Sequence, residues 1–277
     1  MGGTEQKYVT EAFDTNWVAP LGPNVDGFET DISDYLSNQG GIHTAALTSG
    51  TAALHLALKI LEIGAGDVVM VQSFTFCGTT NPISYQGAEL VFIDSETDTW
   101  NMCPNALQEA LEAYKHKSVK AIMPVHLYGM PAKMVDIQNI AAQYGVPVIE
   151  DAAEALGSTY KTQKCGTFGE MAALSFNGNK TITTGGGGAI LTNNLDLARH
   201  AKHLTTTAKI PHAWEFRHDE IGYNYRMPNL NAALGCAQLE RMPAKLIAKK
   251  TLFDRYKVSF ADVHGVQLFT QPENCQS

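Results

Sequence analysis

No stretch of the 277-residue chain approaches the roughly eighteen consecutive apolar residues that a membrane-spanning helix needs. The opening MGGTEQKYV has no apolar core of the kind a secretion signal carries. Lysine and arginine never gather into a block of about five or six, and 20 basic side chains face 28 acidic ones for a formal charge of -8. That balance argues against an electrostatic footprint for nucleic acid or anionic lipid. Cysteine is sparse and unpatterned: Cys77, Cys103, Cys165, Cys236 and Cys275 are odd in number, widely spaced and never in a CxxC pair. Neither a disulfide framework nor a zinc knuckle is implied, so they read as reduced, mostly buried thiols in a cytoplasmic protein. GxxxxGK[ST] and GxGxxG are both missing, which removes the P-loop and dinucleotide fingerprints. Met1-Gly2 lacks the Ser or Thr at residue 6 that myristoylation uses, and the sequon Asn179-Lys180-Thr181 has no meaning without secretion.

What remains is the composition of a globular protein, 44% hydrophobic and 17% charged, with 24 glycines scattered rather than periodic. The length allows one large domain or two small ones. Between about residues 43 and 150, β-branched runs alternate with amphipathic stretches. HTAAL (43–47), DVVMV (67–71), ELVFI (89–93), KAIMPV (120–125) and VPVIE (146–150) are strand candidates. AALHLALKIL (52–61), NALQEALEAY (105–114) and KMVDIQNIAAQY (133–144) carry apolar residues at helical spacing. The alternation predicts an α/β fold with a mostly parallel sheet covered by helices on both faces, and ligands in such folds sit beyond the carboxyl ends of the strands. After Leu191 the pattern turns helical, through LDLARHAKHL, PNLNAALGCAQLE and PAKLIAKKTLFDRYKVSF, and ends in a polar tail, QPENCQS.

Three motifs carry chemistry. In TSGTAALHLAL a strand runs through Ser49, Gly50 and Thr51 straight into a helix, a turn that offers free backbone N–H groups to a phosphate; the simpler reading is that Ser49 or Thr51 only caps the helix. In VPVIEDAAEALGS, Asp151 stands directly past a buried strand, where a carboxylate needs a positive partner unless it is a helix cap. In ALSFNGNKTITTGGGG, Lys180 occupies a polar loop between an apolar strand and four glycines, either as a surface charge or as an activated amine nucleophile. A phosphate turn, an acid for a pyridinium nitrogen and a lysine for an aldehyde are together the equipment of a pyridoxal-phosphate enzyme. Phe76 in QSFTFCGTTNP is the aromatic candidate to cover the cofactor ring, with core packing as its alternative.

Taken in order, NWVAPLGP, TSGTAALHLAL, QSFTF, PVHLYGMPA, VIEDAAEALGS, GTFGE, SFNGNK, TTGGGG and EIGYNYRMPNLNAALG resemble the DegT/DnrJ/EryC1/StrS family of fold-type I, pyridoxal-phosphate-dependent sugar aminotransferases. The resemblance implies that Lys180 binds the cofactor aldehyde and moves protons, and that Asp151 partners the pyridine nitrogen. It implies that Ser49, Gly50, Thr51 and Ser175 hold the phosphate and that Phe76 stacks on the ring. In relatives an Asn or Arg near this point reaches the phosphate from a second subunit, so Asn224 and Arg226 both imply a homodimer with shared active sites, and the sequence does not choose between them.

Glu154 stands where much of the family carries His or Gln, and EALGS with the downstream LTTTAKIPHAWEFRHDEIGYNYRMPNLNAALG is similar to the branch that aminates UDP-linked 4-keto-6-deoxy-N-acetylhexosamines with L-glutamate. A catalytic carboxylate there would orient the substrate amine or the cofactor 3-hydroxyl; otherwise it is a helix-face acid. A GDP-linked 4-keto sugar or a 3-keto sugar is the nearest rival substrate, and a non-catalytic binding protein that keeps the fold is the rival from another class. Lys180 argues against the latter. His126 in PVHLYG reads as a hydrogen-bonded neighbour of the site, and His200 and His203 have no nearby acid or cysteine to complete a metal site, so no metal is expected. Residues 1–240 would form the large cofactor domain with its N-terminal helices, and 241–277 the start of a small C-terminal domain that is largely missing. The chain thus reads as a fragment with exposed apolar surface.

Overall fold

The computed structural model describes residues 1–37 and 41–277. Helices α1 (Glu5–Asp14) and α2 (Pro23–Leu36) precede β1 (His43–Leu47), α3 (Gly50–Ile60), β2 (Asp67–Gln72), α4 (Cys77–Tyr85) and β3 (Glu89–Ile93). The alternation continues through α5 (Pro104–Ala113), β4 (Ser118–Met123), α6 (Met134–Tyr144) and β5 (Ile149–Asp151). A small hairpin, β6 (Thr159–Tyr160) and β7 (Gln163–Lys164), leads to β8 (Met171–Ser175) and β9 (Gly188–Thr192). Helices α7 (Leu195–Thr205), α8 (Asn229–Glu240) and α9 (Met242–Ser259) follow, and β10 (Cys275–Gln276) pairs with β6.

The expected architecture is present. Strands β3-β2-β4 form one hydrogen-bonded set and β1-β9-β8-β5 another. Parallel bridges between Ile122 and Val148, and between Val125 and Asp151, join them edge to edge. The resulting order is β3-β2-β4-β5-β8-β9-β1, in which β9 alone runs antiparallel to its neighbours. The central strands are apolar at successive positions because both faces are covered. On β2, Val69 and Val71 pack with α3 while Met70 joins α5 and α6 through Leu107, Leu111 and Ile137. On β8 and β9, Leu174 and Leu191 face α2 and α8 through Phe28, Ile32 and Cys236, and Ile190 faces α3.

Several sequence-based expectations shift. The fourth strand runs Ser118–Met123 rather than 120–125, because Pro124 cannot continue the ladder as a donor. Asp151, expected just past its strand, is the last residue of β5. The polar tail is not free: Cys275 is buried in the core beside Tyr160, and Phe269 stacks on Trp100 with centroids 4.1 Å apart. Helix α9 buries only Met242 and exposes Ile247, Leu252, Phe253, Tyr256 and Val258. Among the described residues no helix is long and apolar enough to cross a membrane.

The glycine run has a packing reason at its last member. A Cβ on Gly188, where β9 begins, would be driven into the backbone of Ser49 and Gly50, so only glycine lets this antiparallel strand pass under the turn that starts α3. Gly188→Ala is expected to cost about 2–4 kcal/mol in urea denaturation, and an unchanged midpoint with unchanged slope would contradict this packing.

Candidate active site

All strands of the large sheet but β9 end on the same side, and a cavity of about 650 Å³ opens there. It brings together Ser49, Gly50, Thr51, Phe76, Asp151, Glu154, Ser175 and Lys180 from four separate stretches of chain. Asn224 and Arg226 are not on its wall.

The first wall is the turn after β1. Ser49 is extended, at φ -166°, and its Oγ accepts the Ala52 N–H at 3.0 Å, so the capping reading holds. Capping does not exhaust the turn: the first-turn amides of Gly50 and Thr51 remain without an intrahelical acceptor, and the positive end of α3 adds to them. Gly50 lies so close to β8 that a Cβ there would sit 3.0 Å from the Ser175 Cβ, which puts the Ser175 side chain beside the same turn. The second wall follows β2. Phe76, at the N-terminus of α4, is 77% exposed and lines the cavity, so core packing is not its role.

Asp151 forms the floor. It is 6% exposed, and no helix follows for it to cap. Its Oδ2 accepts the Thr79 hydroxyl at 2.6 Å and its Oδ1 the Ala153 N–H at 3.1 Å. Among the described residues it has no ion-pair partner within salt-bridge distance. Burial pushes its pKa up, partly offset by the Thr79 bond, the Ala153 amide and the charge of Lys180. The neighbouring Glu150 points the other way into a closed polar nest, accepting from His126 Nε2 at 2.9 Å and from the amides of Gly166, Phe168 and Gly169 at 2.6–2.8 Å. His126 is therefore a satisfied interior group, as expected. Burial opposes charge on this ring while Glu150 favours it; the Ala132 N–H aimed at Nδ1 at 3.0 Å decides for the neutral Nε2–H tautomer.

Lys180 sits in a turn after β8 in which its own N–H reaches Asn177 O at 3.0 Å. Its Nζ meets Glu154 Oε1 at 3.1 Å, and Glu154 Oε2 accepts the backbone N–H of Tyr128 at 2.8 Å. Glu154 is thus a clamp between the lysine and the turn Leu127–Gly129 rather than a free helix-face acid, with Tyr128 held in the left-handed region at φ 54°. Thr79 and Tyr128 were not singled out by sequence, since a threonine on a helix and a tyrosine in a turn carry no local signal for their contacts with Asp151 and Glu154.

The second-subunit alternatives separate. Arg226 is 5% exposed and is held by Glu29 across the β1 edge, with a further contact to Ala46 O at 3.4 Å, so it is not free to reach another chain. Asn224 is exposed, opposite Thr206 in a short antiparallel bridge.

The wall chemistry fits pyridoxal phosphate. An unpaired buried carboxylate suits a protonated ring nitrogen, the α3 amides suit a phosphate, Phe76 offers an exposed ring face, and Lys180 offers a primary amine to an aldehyde.

The DegT/DnrJ/EryC1/StrS aminotransferase family model matches residues 1–277. The chain is 48% identical to the putative pyridoxal phosphate-dependent aminotransferase EpsN of Bacillus subtilis over 273 residues, 98% of this chain and 69% of that protein. It is 42% identical to GDP-perosamine synthase of Caulobacter vibrioides over 261 residues, 94% of this chain and 68% of the other. Its fold superposes on the PLP form of a putative sugar aminotransferase from Streptococcus pneumoniae with a TM-score of 0.91 at 28% identity, covering 100% of this chain and 74% of that one.

The raised pKa of Asp151 makes a signed prediction. A carboxyl whose folded pKa lies above its unfolded value favours folding at acid pH, and that contribution is lost as pH rises through the folded pKa. In the cofactor-free chain, Asp151→Asn should therefore raise the unfolding temperature near neutral pH, with the gain shrinking toward pH 4. Thermal unfolding across that range checks it; a variant less stable than wild type at neutral pH would contradict it.

Proposed function

The chain belongs to the DegT/DnrJ/EryC1/StrS aminotransferase family, whose members depend on pyridoxal phosphate, and on that premise we propose that it transfers an amino group from L-glutamate to C4 of a nucleotide-linked 4-keto-6-deoxy sugar. The observation that carries this reading is the convergence of Asp151, Lys180 and the Ser49–Thr51 turn on one cavity at the strand ends. When bound, the cofactor supplies an electrophilic aldehyde and a ring able to accept the electron pair left as a substrate C–H bond breaks. The amides of Gly50 and Thr51, with the hydroxyls of Ser49, Thr51 and Ser175, hold the anionic end. Asp151 keeps a proton on the ring nitrogen, and Thr79 keeps Asp151 aimed. Phe76 covers one face and excludes water. Lys180 Nζ would hold the aldehyde and, once freed, would carry the proton between the substrate carbon and the cofactor carbon in each half-reaction. Glu154 holds that amine in line through its 3.1 Å contact.

The UDP-linked N-acetylhexosamine form is favoured by Glu154 within EDAAEALGS and by the 204–235 string. The GDP-linked form is favoured by the similarity to the Caulobacter GDP-perosamine synthase. Phe74, Trp100 and Tyr128, exposed rings beside the cavity mouth, suit a stacked nucleobase in either case. A second copy of the chain would bring its Asn224 to the phosphate end, which fits the exposure of Asn224 outside the cavity.

The test is the visible absorption of the cofactor-loaded chain. L-Glutamate should bleach the lysine-bound band, a UDP- or GDP-linked 4-keto-6-deoxy sugar should restore it, and the better restorer identifies the nucleotide. A band that glutamate leaves untouched would overturn the reading. Glu154→Gln should retain the cofactor but slow both half-reactions at least about tenfold; full turnover would remove Glu154 from the mechanism.

A further inference from the structure

Two histidines that sequence spacing leaves without partners acquire them in the fold. His200 and His203, one turn apart on α7, present Nε2 to the same side. Asp219 and Glu220 arrive there from the 206–224 excursion, whose strands are tied by Asp219 N–H to Ala208 O at 3.3 Å, Ile210 N–H to Arg217 O at 2.9 Å and Tyr223 N–H to Leu204 O at 2.7 Å. His203 Nε2 lies 2.6 Å from Asp219 Oδ1 and 3.9 Å from Glu220 Oε1, and His200 Nε2 lies 2.9 Å from that same Glu220 oxygen. The ligand atoms of His203, Asp219 and Glu220 all fall within 4.8 Å of one another.

We propose that His200, His203, Asp219 and Glu220 form a binding site for a divalent transition metal ion, zinc being the representative. The donor set is two imidazoles and two carboxylates, the nitrogen and oxygen chemistry that zinc accepts and that all-oxygen ions such as Mg²⁺ do not seek. Two carboxylates match the charge of a doubly charged ion. Bonds of about 2.0–2.2 Å in a tetrahedron put ligand atoms about 3.3 Å apart, inside the 2.6–4.8 Å spread among His203, Asp219 and Glu220, which His200 joins through its 2.9 Å contact with Glu220. The existing contacts already set each Nε2 against a carboxylate oxygen, and a bound ion takes the place of the proton between them, which is released. An ion bound here staples the 206–224 excursion to α7. That excursion displays Trp214, Phe216 and Ile221 to solvent and returns at Asn224, so the site governs the order of an exposed apolar surface. None of this depends on the aminotransferase reading, because the cluster shares no residue with the cavity.

The test is calorimetric titration of the chelator-treated full chain with Zn²⁺. One equivalent should bind; His203→Ala and Asp219→Asn should each weaken binding at least tenfold, whereas Cys77→Ser, which removes an exposed thiol, should leave it unchanged. Asp219 is exposed and His203 half-buried, and a circular dichroism spectrum matching wild type verifies the fold of each variant. Zn²⁺ should also slow tryptic cleavage after Arg217, and excess Mg²⁺ should not displace it. Absence of binding, a wild-type isotherm for His203→Ala, loss that follows Cys77→Ser, or an unaltered cleavage rate would overturn the proposal.

Discussion

A carboxylate at the closed end of a cavity, ionised only at a cost, is the constraint on which the arrangement depends. Asp151 closes the seam where β5 meets β4, bridging Val125, so its position is set by the backbone of two adjoining strands. Two neutral donors, Thr79 and Ala153, are too little for a buried anion, and its pKa rises accordingly. The molecule therefore holds an electrostatic deficit that a protonated aromatic nitrogen relieves. Moving Asp151 one residue along the strand would turn it to the opposite face, where Glu150 already occupies a fully satisfied nest.

The other end of the cavity works through dipoles rather than charge. The α3 turn presents amides, and close packing by Gly50 against β8 and by Gly188 against Ser49 keeps that turn rigid. Because β9 reverses direction, its glycine-rich beginning, rather than its end, reaches the cavity. Lys180 is carried on the same β8–β9 connection, so the lysine and the phosphate turn share one support.

Much of this was legible in the linear chain. Alternating β-branched runs and helical periodicity give the α/β layering, because strands buried on both faces must be apolar throughout. Asp151 and Lys180 stand out since a charge beside a buried strand demands a reason. What local patterns do not carry is contact across long separations. Arg226 looked available for a phosphate, but Glu29, 197 positions earlier, claims it. Thr79 meets Asp151 across 72 positions, and the acids facing His200 and His203 lie on an excursion whose return path no spacing rule predicts. The strand ends moved because Pro124 stops one ladder early while Asp151 still pairs with Ala173 on β8.

The most direct measurement is the ¹⁵N resonance of the ring nitrogen in pyridoxal phosphate bound to the chain, compared between wild type and Asp151→Asn. The account predicts a protonated nitrogen at neutral pH in wild type and an unprotonated one in the variant. An unprotonated nitrogen in wild type, or equal protonation in both, would contradict it.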